Sequence, residues 1–334
     1  MATGSQIKAL MESHAEGDES RFYSVASQVA ATEARKGHDR LATEIRGLID
    51  QERRRAKLPQ PKTLSDSVVD ISRPSGEASE LMELATTQQE MRDLVVSKEV
   101  QEAIECGIDE QYHIAEIKSH GLSPHKTFLF TGPPGCGKTM AASVIANSLD
   151  LPLFTIRLDA VISRFLGESS TKLRSVFSTI EKTRAVYLFD EFDSLGLERG
   201  GSQDVAEMRR VLNAFLVFIE KYQGNSIVIS ATNHAESLDL ALFRRFDSLI
   251  EFSMPSTDQC EKALKLRLQN VKVPKSLNLG KVAHAAEGLN FADLARVVDD
   301  ALKQVILKRS KSITTKLLVD MVQARKGFLA KNRR

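Results

Sequence analysis

Two short segments carry residue types at spacings that phosphate chemistry requires. Gly132-Pro133-Pro134-Gly135-Cys136-Gly137-Lys138-Thr139 fits the pattern GxxxxGK[ST], with the apolar run TFLFT before it and a helix-forming stretch from Met140 to Leu149 after it. Glycines at these positions let backbone N–H groups turn inward around a polyphosphate, and the helix that follows aims its positive end, with Met140 in its first turn, at the same group. Lys138 is placed to neutralise β- and γ-phosphate charge, and Thr139 to give an oxygen to Mg²⁺. The second segment, Ala185-Val186-Tyr187-Leu188-Phe189-Asp190-Glu191, is an apolar strand ending in two acids. Asp190 is expected to hold the water shell of Mg²⁺, and Glu191 to activate an attacking water. Paired acids ending a strand in solvent are commonplace, but downstream of such a loop they read as the other half of a site for a nucleotide and Mg²⁺.

These residues need a rigid sheet to bring them together. Short apolar runs at Thr127–Thr131, Leu153–Leu158, Ala185–Phe189, Ser226–Ala231 and Ser248–Phe252 alternate with helical stretches, the pattern of buried parallel strands. After Pro255 the strand signals stop. Helical periodicity returns in Cys260–Val271, Leu279–Ala286, Phe291–Leu307 and Thr314–Phe328, which predicts a helical lid. Upstream, apolar residues recur at three- and four-residue intervals from Ile7 to Ile49, while Pro59, Pro61 and Pro74 sit among polar residues. The predicted organisation is therefore a small all-α N-terminal domain over 1–58, a linker over 59–88, an α/β domain with a parallel sheet over 89–254, and a helical lid over 255–334.

Further segments complete a set known together in one family. Ser230-Ala231-Thr232-Asn233, followed by Leu238-Asp239-Leu240-Ala241-Leu242-Phe243-Arg244-Arg245-Phe246-Asp247, resembles the second region of homology of the classical AAA+ ATPases. The resemblance implies that Asn233 acts as the first sensor and that Arg244 and Arg245 reach the γ-phosphate of the neighbouring subunit. The compact Arg-Arg-Phe-Asp form leaves open which arginine makes the decisive contact. Ser163-Arg164-Phe165-Leu166-Gly167-Glu168-Ser169 is similar to the family's first pore loop, with Phe165, Leu166 and Gly167 facing a threaded polypeptide, although a phenylalanine among apolar neighbours is ordinarily a core residue. Arg199-Gly200-Gly201-Ser202 falls where a second pore loop lies, and reads nearly as well as a surface turn. Gly288-Leu289-Asn290-Phe291-Ala292-Asp293-Leu294 resembles the lid segment that packs near nucleotide, with Ala292 where other clades have a sensor arginine. Leu94-Val95-Val96 and His120-Gly121-Leu122 resemble the segments that close over adenine.

The resemblance covers roughly Leu94 to Ala324 and implies a ring, by family a hexamer, that hydrolyses ATP and remodels or threads a protein client. His14-Ala15-Glu16-Gly17-Asp18 and Arg21-Phe22 look similar to compact bacterial members encoded beside subtilisin-like proteases, which implies such a protease as partner. Two rival readings are a nucleotide-switched docking module and a DNA-directed loader. Glu191, Asn233 and Arg244 weigh against the first. A formal net charge of +2 over 334 residues weighs against the second, and against any nucleic-acid or membrane surface as partner. Three cysteines without CxxC spacing exclude a disulfide framework and suit a reducing compartment, and neither a leader-like start nor a membrane-length apolar run is visible, so the cytoplasm is expected.

Overall fold

Parallel strands covered on both faces are buried at every position, and three of the five predicted runs, Thr127–Thr131, Ala185–Phe189 and Ser226–Ala231, have that property. The structure, a computed structural model, describes residues 77–162, 168–192, 202–237, 240–271, 273–274, 276–308 and 312–331. In chain order the elements are α1 (Glu77–Glu80), β1 (Met82–Ala85), α2 (Lys98–Tyr112), α3 (Ile114–Ser119), β2 (Thr127–Thr131), α4 (Lys138–Ser148), β3 (Leu153–Ile156), α5 (Leu158–Val161), α6 (Glu168–Lys182), β4 (Val186–Phe189), α7 (Ser202–Lys221), β5 (Ile227–Thr232), α8 (Leu240–Phe243) and β6 (Ser248–Glu251). Four further helices, α9 (Thr257–Leu268), α10 (Leu279–Ala285), α11 (Phe291–Leu307) and α12 (Thr315–Lys331), make the lid.

The strands form one six-stranded sheet in the order β1-β3-β4-β5-β2-β6, parallel throughout except that β1 runs antiparallel to β3. Side chains alternate between two cores. Leu129, Tyr187, Phe189 and Val228 face α6 and α7, whereas Phe128, Phe130, Leu188 and Ile229 face α2 and α4. On the first side the rings of Phe177, Phe189, Phe192 and Phe215 interlock, with Phe189 and Phe192 each 4.9 and 4.6 Å from Phe215. Such ring pairs add directional packing to the area they bury.

Within the range 59–88 read as linker, Glu77–Glu80 and Met82–Ala85 form α1 and the edge strand β1. The four residues MELA are exposed at the two central positions, so β1 lacks the continuous apolar signature of the strands inside the sheet. The β3 strand ends at Ile156, two residues before the predicted Leu158, because Leu158 opens α5. The segment 1–58, the pore-loop residues Phe165, Leu166 and Gly167, and Arg199 to Gly201 lie outside the described residues.

The lid has its own apolar core, from Cys260 and Leu264 through Val282, Leu294, Val298 and Leu318. Its N-termini are well capped: Ser256 opens α9 with a reciprocal capping box to Gln259, and Asn278 and Asn290 accept from Lys281 N–H and Asp293 N–H. Asp293 is buried, and Arg325 of α12 pairs with its Oδ1 at 2.7 to 2.8 Å, clamping α11 to α12. Removing one member of a buried pair strands the other charge. Arg325→Met is accordingly expected to cost about 3 kcal/mol of lid stability, seen as earlier thermal unfolding and faster amide exchange in α11 and α12; unchanged exchange there would refute the clamp.

Candidate functional site

The carboxyl ends of β2, β4 and β5 lie side by side, and each delivers one of the predicted chemical groups. From β2 the chain enters the glycine-rich turn. Gly132 sits at φ 133°, and a Cβ there would come within 1.9 Å of Phe252 O, so no other residue fits against the end of β6. Gly135, at φ 73°, would drive a Cβ into the side chain of Asn290. With Gly137 also left-handed at the entrance to α4, the turn wraps back on itself, as a phosphate cradle must.

Lys138 is buried, and its Nζ donates to Gly132 O at 2.6 Å, Pro133 O at 2.9 Å and Asn233 Oδ1 at 2.8 Å. A buried ammonium is tolerated when hydrogen bonds replace its lost hydration. The loop, with Pro133 and Pro134 shaping its first half, thus holds its own cation over the space it encloses. Asn233 follows β5 and joins this group. Cys136 is buried with its Sγ 3.9 Å from Pro134 O and 3.8 Å from Met254 Sδ, and burial pushes its thiol above the ordinary range. It stays protonated and serves as a packing residue.

Thr139 Oγ1 donates to Asp190 Oδ2 at 2.8 Å, so the hydroxyl opening α4 and the acid ending β4 already share one geometry. Two hard oxygens at the mouth of a phosphate cradle fit Mg²⁺, which takes few protein ligands and completes its shell with water and phosphate. Glu191 is exposed and sits at φ 51°, a left-handed conformation uncommon outside glycine, with its N–H donating to Asp190 Oδ1 at 2.9 Å. Phe189 and Phe192, both fully buried, grip the chain on either side of the two acids. The acids therefore stand on a fixed aromatic base rather than on a mobile loop.

Beside the cradle a cavity of about 240 Å³ lies between Leu94 and Val95, the start of α4 at Gly137 and Met140, and the lid residues Leu264 and Phe291. It suits a flat apolar group next to the phosphates. Leu94 and Val95 are where the sequence expected adenine to be enclosed, whereas His120, Gly121 and Leu122 are exposed at the end of α3 and do not line it.

Arg244 and Arg245 stand elsewhere. They precede β6 at the amino end of the sheet, where Asp247 N–H donates to Thr127 O, so the whole length of β2 separates them from the cradle. Five residues of strand span roughly 16 Å. Arg244 is exposed, and Arg245 pairs with Glu220 of α7 at 3.0 Å.

One contributor, Asn290, is read in the sequence only as part of the lid segment 288–294. Asn290 caps α11 through Oδ1, and its Nδ2 donates to Pro134 O at 3.0 Å while Ala292 N–H donates to Gly135 O at 3.3 Å. The lid thus touches the cradle through one side-chain amide and one helix-terminal N–H. An asparagine before a helix signals a cap, and the second bond was invisible without the distant loop.

Comparison with known proteins accords with this geometry. Residues 128–254 match the model of the ATPase family associated with various cellular activities (AAA). The chain is 36% identical over 315 residues to the AAA family ATPase y4kL of Sinorhizobium fredii, covering 94% of this chain and 92% of that one. It is 35% identical over 216 residues to the ATP-dependent zinc metalloprotease FtsH of Pirellula staleyi, covering 59% of this chain but 31% of that protein. FtsH 3 of Sphaerobacter thermophilus is 28% identical over 255 residues, covering 75% of this chain and 50% of the relative. The metalloprotease activity in those two names is said of the longer proteins.

The two bonds of Asn290 can be separated. Asn290→Asp keeps the capping oxygen but loses the donor to Pro134 O, so thermal stability is expected to hold while the Kd for ATP rises several-fold by titration calorimetry. Asn290→Ala is expected to lose both, with an additional cost of about 1 kcal/mol in lid stability. Equal ATP affinity in all three proteins would remove Asn290 from the site.

Proposed function

Because the chain belongs to the AAA family of ATPases, we propose that it hydrolyses ATP at the boundaries between subunits of a ring and uses the cycle to remodel a protein client. The observation that carries this reading is the division of the catalytic set between the two ends of the sheet. Lys138, Asn233, Asp190 and Glu191 converge at the carboxyl end. Arg244 and Arg245 belong to the amino end, roughly 16 Å of strand away, beyond the reach of their own cradle.

In this mechanism the base occupies the cavity beside Leu94 and Met140, and the triphosphate runs along the inward N–H groups of residues 132–139. Lys138 turns from Gly132 O and Pro133 O toward the β- and γ-phosphates. Thr139 and Asp190 would hold Mg²⁺, which would supply neutralisation of phosphate charge. Glu191 accepts a proton from the attacking water, and Asn233 orients that water or the γ-phosphate from the end of β5. Its neighbour then provides the last element, a guanidinium over the γ-phosphate as charge shifts toward the leaving oxygen. The Arg245–Glu220 pair is on the surface, where such pairs contribute little, so giving it up for a phosphate costs little.

A ring of this kind offers a central channel, and Phe165 with Leu166 and Gly167 supplies the gripping loop on the strength of the sequence alone. A subtilisin-like protease as partner rests likewise on residues 14–22. No helix of the described residues is long and apolar enough to cross a membrane.

Two experiments test the proposal. Lys138→Ala should lose ATP binding, whereas Glu191→Gln should keep ATP bound without turnover, and so also capture client in a pull-down; matching losses of ATP affinity would contradict the assigned roles. For action between subunits, Arg244→Ala/Arg245→Ala should lower kcat by about 10³ to 10⁵ with far less effect on binding. Mixed with Lys138→Ala under subunit exchange, it should regain ATPase activity, because some interfaces then join an intact cradle to intact arginines. Tethered subunits with one defined mixed interface remove the ambiguity of ring-wide coordination, and silence there would defeat the proposal.

A further inference from the structure

A guanidinium that serves another subunit is useful only if its own subunit holds it at a fixed height above the interface. The turn that bears Arg244 and Arg245 lies between α8 and β6, a strand that among the described residues pairs only with β2. That ladder is short, beginning at Phe128 opposite Ser248 and ending at Thr131 opposite Glu251. By itself it leaves residues 244–247 attached at one end to an edge.

Asp247 supplies what the ladder lacks. Its Oδ2 accepts from Lys126 N–H at 3.0 Å, Thr127 N–H at 2.9 Å and Thr127 Oγ1 at 2.8 Å. In return Asp247 N–H lies 3.0 Å from both Thr127 O and Thr127 Oγ1, to which it donates. Three donors converging on one carboxylate oxygen are charge-assisted bonds, about twice as strong as neutral ones. Leu242 and Phe246 are plugged into the core on the α6–α7 side, and Arg245 N–H closes the turn onto Leu242 O at 3.1 Å. Everything in the turn is tied down except Arg244, which is exposed, and the side chain of Arg245, which leans on exposed Glu220.

We propose that Asp247, through Thr127, is the positioning residue of the arginine turn: it pins the turn to the head of β2 so that the guanidiniums stand at the height the adjoining subunit's γ-phosphate requires. This rests on the reading that the arginines act between subunits. It adds a residue to the reaction that touches neither nucleotide nor attacking water. A misplacement near 1 Å is enough to lower a rate about 100-fold, which is the scale of movement expected when a turn on an edge strand loses its pin.

The alternative is that Asp247 simply supports β2 and, through it, the subunit's own cradle. The two roles give opposite results in mixed rings. In the full-length chain, Asp247→Asn is expected to lower kcat roughly 10- to 100-fold while the Kd for ATP and the mass of the assembly stay unchanged. Thr127→Val should fall in the same direction by less, since both backbone donors remain, and Thr127→Ser, which restores the hydroxyl, should recover the activity. The decisive measurement pairs Asp247→Asn with Lys138→Ala in tethered subunits, beside the control pair of Arg244→Ala/Arg245→Ala with Lys138→Ala. Recovery in both pairs means that the Asp247→Asn cradle works once intact arginines face it, as proposed. Recovery in the control alone means that Asp247 acts on its own cradle, and overturns the inference. Silence in the control overturns the intersubunit reading itself and the inference with it. Thr127→Val and Asp247→Asn that lower ATP affinity in step with kcat would also overturn the positioning role.

Discussion

The hydrogen-bonded ammonium of Lys138 is the constraint on which the site depends. A charge buried to this degree is tolerable only where oxygens surround it, and three such oxygens come from two separate places: Gly132 and Pro133 in the turn after β2, and Asn233 after β5. They meet only if β2 and β5 are neighbours in register, as the pairing of Thr131 with Thr232 makes them. The left-handed glycines, the order of the strands and the start of α4 are thus parts of one arrangement. Displacing any of them leaves a buried cation short of acceptors.

The sheet order then decides what each end can do. Parallel strands carry all their carboxyl ends to one edge, so the cradle, the two acids and Asn233 gather there, as ligands do in open α/β sheets. The opposite edge receives the turns that lead into strands, and its buried polar residues serve register. Ser226 Oγ donates to Ile180 O and Thr183 O and accepts from Ala185 N–H, while the Tyr222 hydroxyl bridges Ser226 N–H and Ser226 O. This buried network fixes β4 against β5 at their amino ends, and hence sets where Asp190 and Asn233 emerge at the other.

How much of this was legible in the sequence follows from burial. Thr127–Thr131 was readable to the residue because β2 is covered on both faces and every position is buried. The edge strand Met82–Ala85 was not, because edge position removes the apolar run and its antiparallel partner, β3, is about 70 residues away in sequence. Lys138, Thr139, Asp190 and Glu191 could be named because phosphate chemistry restricts both residue type and spacing, and Asn233 because its segment resembles the second region of homology of a known family. Asn290 and Asp247 could not be given their contacts, since each is an ordinary cap or turn residue locally and acquires its second role only from a loop more than 100 residues away. The pairing of Arg245 with Glu220 was equally hidden, and it distinguishes two adjacent arginines that the sequence treats alike.

On the proposed reading, nucleotide state has two separate outlets from the cradle. One is short: the amide of Asn290 and the N–H of Ala292 reach Pro134 O and Gly135 O, so a loop that rearranges around phosphate must shift the end of α11. That helix is clamped to α12 by Asp293 and Arg325, so the displacement is carried by two helices together and not absorbed in one. The other runs along β2, from the cradle at one end to Thr127 and the arginine turn at the other. A central strand is stiff along its length, because its hydrogen bonds to both neighbours resist sliding. It therefore fixes the height of the arginine turn relative to the cradle.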